Sequence, residues 1–156
     1  MWGCAANKIT NRTETLQKRC IRNVALTHFK AHTEPLFKRL SILKYNDKIH
    51  FCRSVFMNQY RNKTLPESFL NIFTDITSTD NLQTRHNDYN YQNVPAVRRN
   101  LETFPYKCLI KTWKSLTIDV KSTADKTDFE NILKEIILST YNPELQCETG
   151  CYSCNK

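Results

Sequence analysis

Three helix starts crowd into residues 14–60, and this succession commits the chain to a helical fold more firmly than any other feature of it. In Glu14-Thr15-Leu16-Gln17-Lys18-Arg19-Cys20-Ile21-Arg22-Asn23-Val24, the residues Leu16, Cys20, Ile21 and Val24 recur at helical spacing and share one face, while Lys18, Arg19 and Arg22 fall on the other. His32-Thr33-Glu34-Pro35-Leu36-Phe37 then reads as a fresh start. Thr33 is a capping residue, and Pro35, lacking an N–H, fits only a first helical turn. Tyr45-Asn46-Asp47 offers a cap for a third helix to residue 60, in which Ile49, Cys52, Val55, Phe56 and Tyr60 repeat at helical spacing.

Further on, Leu65-Pro66 starts a short helix carrying Phe69, Ile72 and Phe73. Residues 74–100 are rich in Thr, Asn and Asp with little periodicity and read as irregular, and brief extended pieces are expected at 94–97 and 108–113. The last helix is predicted from Thr127-Asp128-Phe129-Glu130, a capping box, and from the stripe Phe129, Ile132, Leu133, Ile136 and Ile137; Pro143 ends it. Trp113 is the expected core anchor for that helix. The resulting plan is a mainly α fold, a small helical bundle with an irregular connector and minor extended segments. It comprises a basic helical segment (1–73), the connector (74–112), a Trp-anchored C-terminal helix (113–142) and a Cys-rich tail (143–156). With 156 residues, 40% of them hydrophobic and 11% aromatic, the chain can bury a modest core and is not a disordered one.

Charge is unevenly spread. Residues 1–65 hold 13 Lys and Arg against 3 acids, net +10, and residues 66–156 hold 10 against 12, net −2, within an overall +8. A basic half joined to a near-neutral half points to a surface that meets a phosphate backbone, with affinity from counterion release. Lys18, Arg19 and Arg22, with Lys30, Lys38 and Arg39, are the candidate phosphate-contacting residues; the alternative is a solvated basic face. Arg85, Arg98 and Arg99 interleave with Tyr89 and Tyr91 on the connector, the mixture with which single-strand binders stack bases and pair phosphates, or else a polar loop.

Cys147, Cys151 and Cys154 place three thiols within eight residues around Gly150, dense enough for thiolate ligation of zinc. A fourth ligand would have to come through the fold, from a distant Cys or from His28, His32, His50 or His86. The alternative is a reduced Cys tail; a zinc site would make thermal stability sensitive to a chelator. Cys20, Cys52 and Cys108 sit on apolar positions and are expected to be buried. His28 and His32 are expected to flank the end of the first helix as a structural pair. No window approaches the roughly 20 apolar residues of a spanning helix, and no signal-peptide core opens the sequence, so the expected location is intracellular, nuclear or cytoplasmic, away from membranes.

The order of words along the chain carries a resemblance. Leu16-Gln17-Lys18-Arg19-Cys20-Ile21-Arg22, then Ala31-His32-Thr33-Glu34-Pro35-Leu36-Phe37 and Ile42-Leu43, resemble the segment just downstream of the polymerase in LINE-type (non-LTR, jockey-like) retrotransposon reverse transcriptases. Trp2-Gly3, Leu65-Pro66-Glu67-Ser68-Phe69, Thr84-Arg85 and Pro95-Ala96-Val97-Arg98 extend it, and Trp113-Lys114-Ser115-Leu116 is similar to the family's closing Trp-Asn-Ser-Leu-Pro. Ile110-Lys111 departs from a common Gly-Pro, Lys114 from Asn and Thr117 from Pro. The resemblance implies a non-catalytic piece of an RNA-directed DNA polymerase, a partner for RNA or DNA and for the polymerase region, and an accessory role in target-primed reverse transcription. Met1 before Trp2-Gly3 fits a reading frame that begins inside a longer ancestral protein. The polymerase's metal-binding Asp-Asp pair occurs nowhere in the sequence, and its two glycines, Gly3 and Gly150, form no phosphate loop, so the chain is not expected to polymerise alone. A helical protein–protein module, or a relic without selected function, are the rival readings.

Overall fold

A computed structural model describes residues 7–69, 73 and 105–142. The described residues are mainly helical: α1 (Asn7–Val24), α2 (Glu34–Arg39), α3 (Tyr45–Arg61), a 3-10 turn at Glu67–Phe69, α4 (Pro105–Lys114), α5 (Ile118–Ser122) and α6 (Lys126–Ser139), with no strand among them. The expected segment at 94–97, most of the connector and the tail lie outside the described residues. The described chain forms two compact units: residues up to Ile49 and from Lys134 onward make one, and His50–Leu133 the other. The linear division at residue 73 therefore does not follow the structural one.

In the first unit, α1 is turned differently from the expected apolar stripe. Ile21 is buried, but Leu16 and Val24 are about half and two-thirds exposed, at 50% and 67%, and Cys20 is exposed. The more covered line instead runs through Glu14, Gln17, Ile21 and Ala25. The reason is polar. Gln17 sits where its amide closes the start of α3: Nε2 donates to the Leu43 carbonyl (2.9 Å) and Oε1 accepts the Tyr45 N–H (2.7 Å). Burying that carboxamide is favourable because both its ends find backbone partners. The core of this unit joins Ile21, Leu36, Phe37 and Tyr141, with Ala25, Leu40, Ile137 and Leu138 packed around them.

Tyr141 completes the cap. Its hydroxyl accepts the Lys44 N–H (2.9 Å) and donates to Asp47 Oδ2 (2.5 Å). Two of the orphan N–H groups around the start of α3 are thus satisfied by side chains remote in sequence, rather than by Asn46 or Asp47. Thr33 also makes no side-chain cap; its backbone carbonyl accepts the Phe37 N–H (2.9 Å). Pro35 does sit in the first turn of α2.

Three helices close in the same way without glycine. Leu26, Ser41 and Lys63 adopt φ of 51°, 52° and 54°. In each case the following N–H reaches back five residues in the Schellman pattern: Thr27 to Arg22 (3.0 Å), Ile42 to Phe37 (3.0 Å) and Thr64 to Gln59 (3.1 Å). A left-handed residue with a Cβ is strained where glycine is not. Leu26 is 94% exposed, so its side chain returns almost nothing through packing. Leu26→Gly is therefore expected to stabilise the protein by about 0.5–1 kcal/mol, raising the thermal midpoint by about 2 °C in a circular-dichroism melt. A lowered midpoint would mean that the Leu26 side chain is covered in solution.

In the second unit, residues 108–113 are not extended; they lie within α4, which Pro105 opens in the position where its missing N–H is harmless. Read with a period of two, this segment mixes Lys and apolar residues on each face. Read with a period of 3.6, it separates cleanly: Leu109, Ile110 and Trp113 are buried, whereas Lys107, Lys111 and Lys114 follow one another at spacings of four and three. Trp113 and Phe129 are both fully buried and stack at 6.2 Å with a 30° interplanar angle, so the expected anchor is present. α6 begins at Lys126, one residue before the expected capping box. Asp125 supplies the cap, its Oδ2 accepting the Thr127 N–H (3.1 Å). Within the expected stripe, Phe129 and Leu133 are buried and Ile132 and Ile136 are exposed.

α3 contributes Phe51, Ser54, Met57, Asn58 and Tyr60 to the buried set rather than Cys52, which is exposed; Ile49, Val55 and Phe56 are half-buried. Polar side chains at its C-terminal end and just beyond hold the carbonyls around the end of α5: Asn58 donates to Thr123 O (3.0 Å), Asn62 to Ala124 O (2.6 Å) and Arg61 to Lys121 O. Tyr60 pins Phe73 by accepting its N–H (3.2 Å) and donating to its carbonyl (3.3 Å).

Candidate nucleic-acid interface

The cations expected to contact phosphate divide into fixed and free-standing groups. Arg22 Nε donates to the Ala31 carbonyl (2.8 Å) and ties the loop after α1 back to the helix. Lys38 Nζ donates to the Tyr141 carbonyl (3.1 Å). Lys18 pairs with Glu14 at 2.7 Å on the surface of α1, an i,i+4 pair worth about 0.3–0.5 kcal/mol that a phosphate can displace. Arg19, Lys30 and Arg39 are exposed. Arg12, which sequence reasoning passed over, stands seven residues before Arg19 on the same exposed side of α1. Arg85, Arg98, Arg99, Tyr89 and Tyr91 lie outside the described residues.

Lys44 is equally committed. Its ammonium meets Glu34 at 2.6 Å and lies 4.4 Å from the centre of the Tyr141 ring. By contrast, the loop after α1 offers an aromatic surface. Phe29 is 70% exposed, with the His28 ring 4.4 Å away and Lys30 Nζ 5.5 Å from its centre. An exposed ring beside a cation is the combination on which single-stranded bases stack. Both His28 and His32 follow the end of α1 at Val24 and are exposed, so they are not the helix-end pair expected.

Charge sorts less sharply by structural unit than by sequence half. The unit containing α1 and α2 holds 12 Lys and Arg against 6 acids, net +6; the other holds 11 against 9, net +2. That second unit nevertheless concentrates cations at one place. A cleft of about 390 Å³ is lined by His50 and Arg53 of α3 and by Lys107, Lys111, Thr112 and Ser115 around α4. None of the described residues lining it is Asp or Glu. Like charges four apart, as at Lys107 and Lys111, destabilise a helix by about 0.2–0.5 kcal/mol. The spacing of Lys107, Lys111 and Lys114 was a legible signal for this face once α4 is recognised as a helix.

Hydrogen bonds orient one wall of the cleft. Ser115 Oγ donates to the Thr112 carbonyl (2.7 Å), and His50 Nε2 stands 3.4 Å from the same oxygen. The Ser115 hydroxyl thus stands between the Thr112 carbonyl and the His50 ring and links the two helices at the cleft wall. Cys108 is half-buried at the cleft, while Cys20 and Cys52 are exposed; none of the three is the fully buried residue expected. Lys121 is buried, and its amine lies 3.5 Å from the last carbonyl of α4; burial, and then the charge of Lys114, push its pKa below the usual lysine range.

The zinc candidates Cys147, Cys151 and Cys154 lie outside the described residues, and among those described no group of three His, Cys, Asp or Glu side chains is placed to hold a metal. No described helix is long and apolar enough to cross a membrane. The chain matches no protein-family model, no curated protein and no solved structure.

Proposed function

We propose that this chain is a non-catalytic nucleic-acid-binding region of the kind that follows the polymerase in non-LTR retrotransposon reverse transcriptases, gripping RNA or DNA through its backbone phosphates. The observation that carries this reading is the net +6 of the unit built around α1 and α2, with Arg12, Arg19, Lys30 and Arg39 standing exposed on it. Phe29 beside Lys30 adds a stacking surface for a single strand. Order along the chain, from Leu16-Gln17-Lys18-Arg19-Cys20-Ile21-Arg22 to Trp113-Lys114-Ser115-Leu116, supports the retroelement origin. In this role the residues perform no chemistry: they hold the template or target strand by electrostatics and stacking while the polymerase region acts.

The test is fluorescence anisotropy with a short single-stranded RNA across a salt series. The wild-type chain is compared with an Arg12→Gln/Arg19→Gln/Lys30→Gln/Arg39→Gln variant, which spares the structural Arg22 and Lys38. Removing one phosphate-bound cation lowers the log–log salt slope by about 0.7 on a single strand, so the slope of the variant is expected to be shallower by up to about 3. Absence of RNA binding at low salt by the folded wild-type chain would sink the proposal.

One observation favours a second reading. Ile9, Leu16, Cys20 and Val24 form an exposed apolar line on α1 flanked by Arg12 and Arg19, the pattern of a helix that docks into a protein groove. Association through that line would show little salt dependence, which separates the two readings in the same experiment.

A further inference from the structure

We infer that the cleft between α3 and α4 is a binding site for a phosphate group, separate from the face on α1. The inference goes beyond the nucleic-acid reading above, because every described residue lining the cleft belongs to the other unit. Arg53 from one helix and Lys107 and Lys111 from another place three permanent cations around one concavity, with His50 beside them. A planar guanidinium fork and two mobile ammonium groups suit a tetrahedral, multiply charged oxyanion better than a single carboxylate, which offers two oxygens and one charge. The Thr112 and Ser115 side chains lie on the same wall, and His50 is oriented there through the Ser115 oxygen. A volume of about 390 Å³ exceeds that of bare phosphate and admits the sugar and base of one nucleotide as well.

The arrangement also has a local logic. Lys107 and Lys111 repel each other across one turn of α4, and Lys107, Lys111 and Lys114 could have been dispersed around a ten-residue helix; instead they share one side of it. An anion lying across Lys107 and Lys111 relieves that repulsion and is drawn in by it. The shared ligand chemistry is a phosphate monoester, diester or pyrophosphate, whose source is either a nucleic-acid strand or a free phosphorylated small molecule.

The experiment is a titration of the ¹⁵N-labelled full chain with sodium pyrophosphate at fixed ionic strength, following amide shifts. Saturable shifts are expected at residues 50–53 and 107–115. A Lys107→Gln/Lys111→Gln variant is expected to bind at least tenfold more weakly, and Lys114→Gln, on the same helix but outside the lining, to bind like wild type. Non-saturating shifts spread over all cations, or equal weakening by Lys114→Gln, would overturn the site. A second arm uses a twelve-nucleotide single-stranded RNA. RNA that moves the same amides and is displaced by pyrophosphate identifies a strand phosphate as the occupant. Pyrophosphate binding with no RNA binding anywhere leaves the site standing as one for a small phosphorylated ligand while the nucleic-acid reading falls. RNA binding on α1 with no pyrophosphate response in the cleft does the reverse.

Discussion

Phe129→Ala is expected to destabilise the protein by about 3–5 kcal/mol, the upper end of what one truncation costs. The ring is fully buried and stacks on Trp113, which is itself fully buried, so truncation removes apolar burial and leaves a cavity beside a rigid indole. At a urea slope of about 2 kcal/mol per molar, the unfolding midpoint followed by circular dichroism should fall by about 2 M. Ile132→Ala supplies the control: Ile132 lies on the same helix and in the same expected stripe but is 39% exposed, so its truncation should cost less than about 1 kcal/mol. Equal effects from the two variants would mean that α6 buries a different face in solution.

Tyr141→Phe, which removes one oxygen, is expected to cost about 1–3 kcal/mol. The loss strands the Lys44 N–H and takes from Asp47 the donor on its Oδ2, two groups at the start of α3. The same variant should change the response to alkali. Burial, followed by the hydrogen bond to Asp47, raises the Tyr141 pKa well above its ordinary value of 10.0. An acid whose folded pKa lies above its unfolded one holds its proton more tightly when folded. Its contribution is therefore complete below pH 10 and declines as the pH rises from there toward the folded pKa. Urea midpoints measured from pH 9 upward should fall more steeply for wild type than for Tyr141→Phe. Parallel curves would show that the hydroxyl is not protected from ionisation.

Much of the helical plan is visible in residue spacing. The start of α2, the first-turn Pro35 and the Trp113 anchor follow from local chemistry, because proline geometry and apolar period act over a few residues. The facing of α1 does not. Its period identifies an apolar line through Leu16, Cys20 and Val24, but no period reveals that the partner surface needs a carboxamide, which turns Gln17 inward instead. Residues 108–113 mislead for the opposite reason: a short, mostly apolar run fits a strand as readily as a helix, and only the Lys107-to-Lys114 spacing decides. Nor are the candidate sites equally legible. Arg19, Lys30 and Arg39 could be chosen from charge alone, but Arg22 and Lys38 look identical to them in sequence and are engaged with carbonyls. The cleft joins α3 to a helix more than forty residues away, a juxtaposition that no local pattern encodes.

The unit that Tyr141 closes has an implication for synthesis. Ile21, Leu36 and Phe37 leave the ribosome long before Ile137, Leu138 and Tyr141, the residues that cover them. Throughout that interval the growing chain carries an apolar cluster next to its densest run of cations, and α3 lacks the hydroxyl that accepts the Lys44 N–H. Translation arrested before codon 141 would release an open, adhesive and strongly basic polypeptide in place of a folded unit.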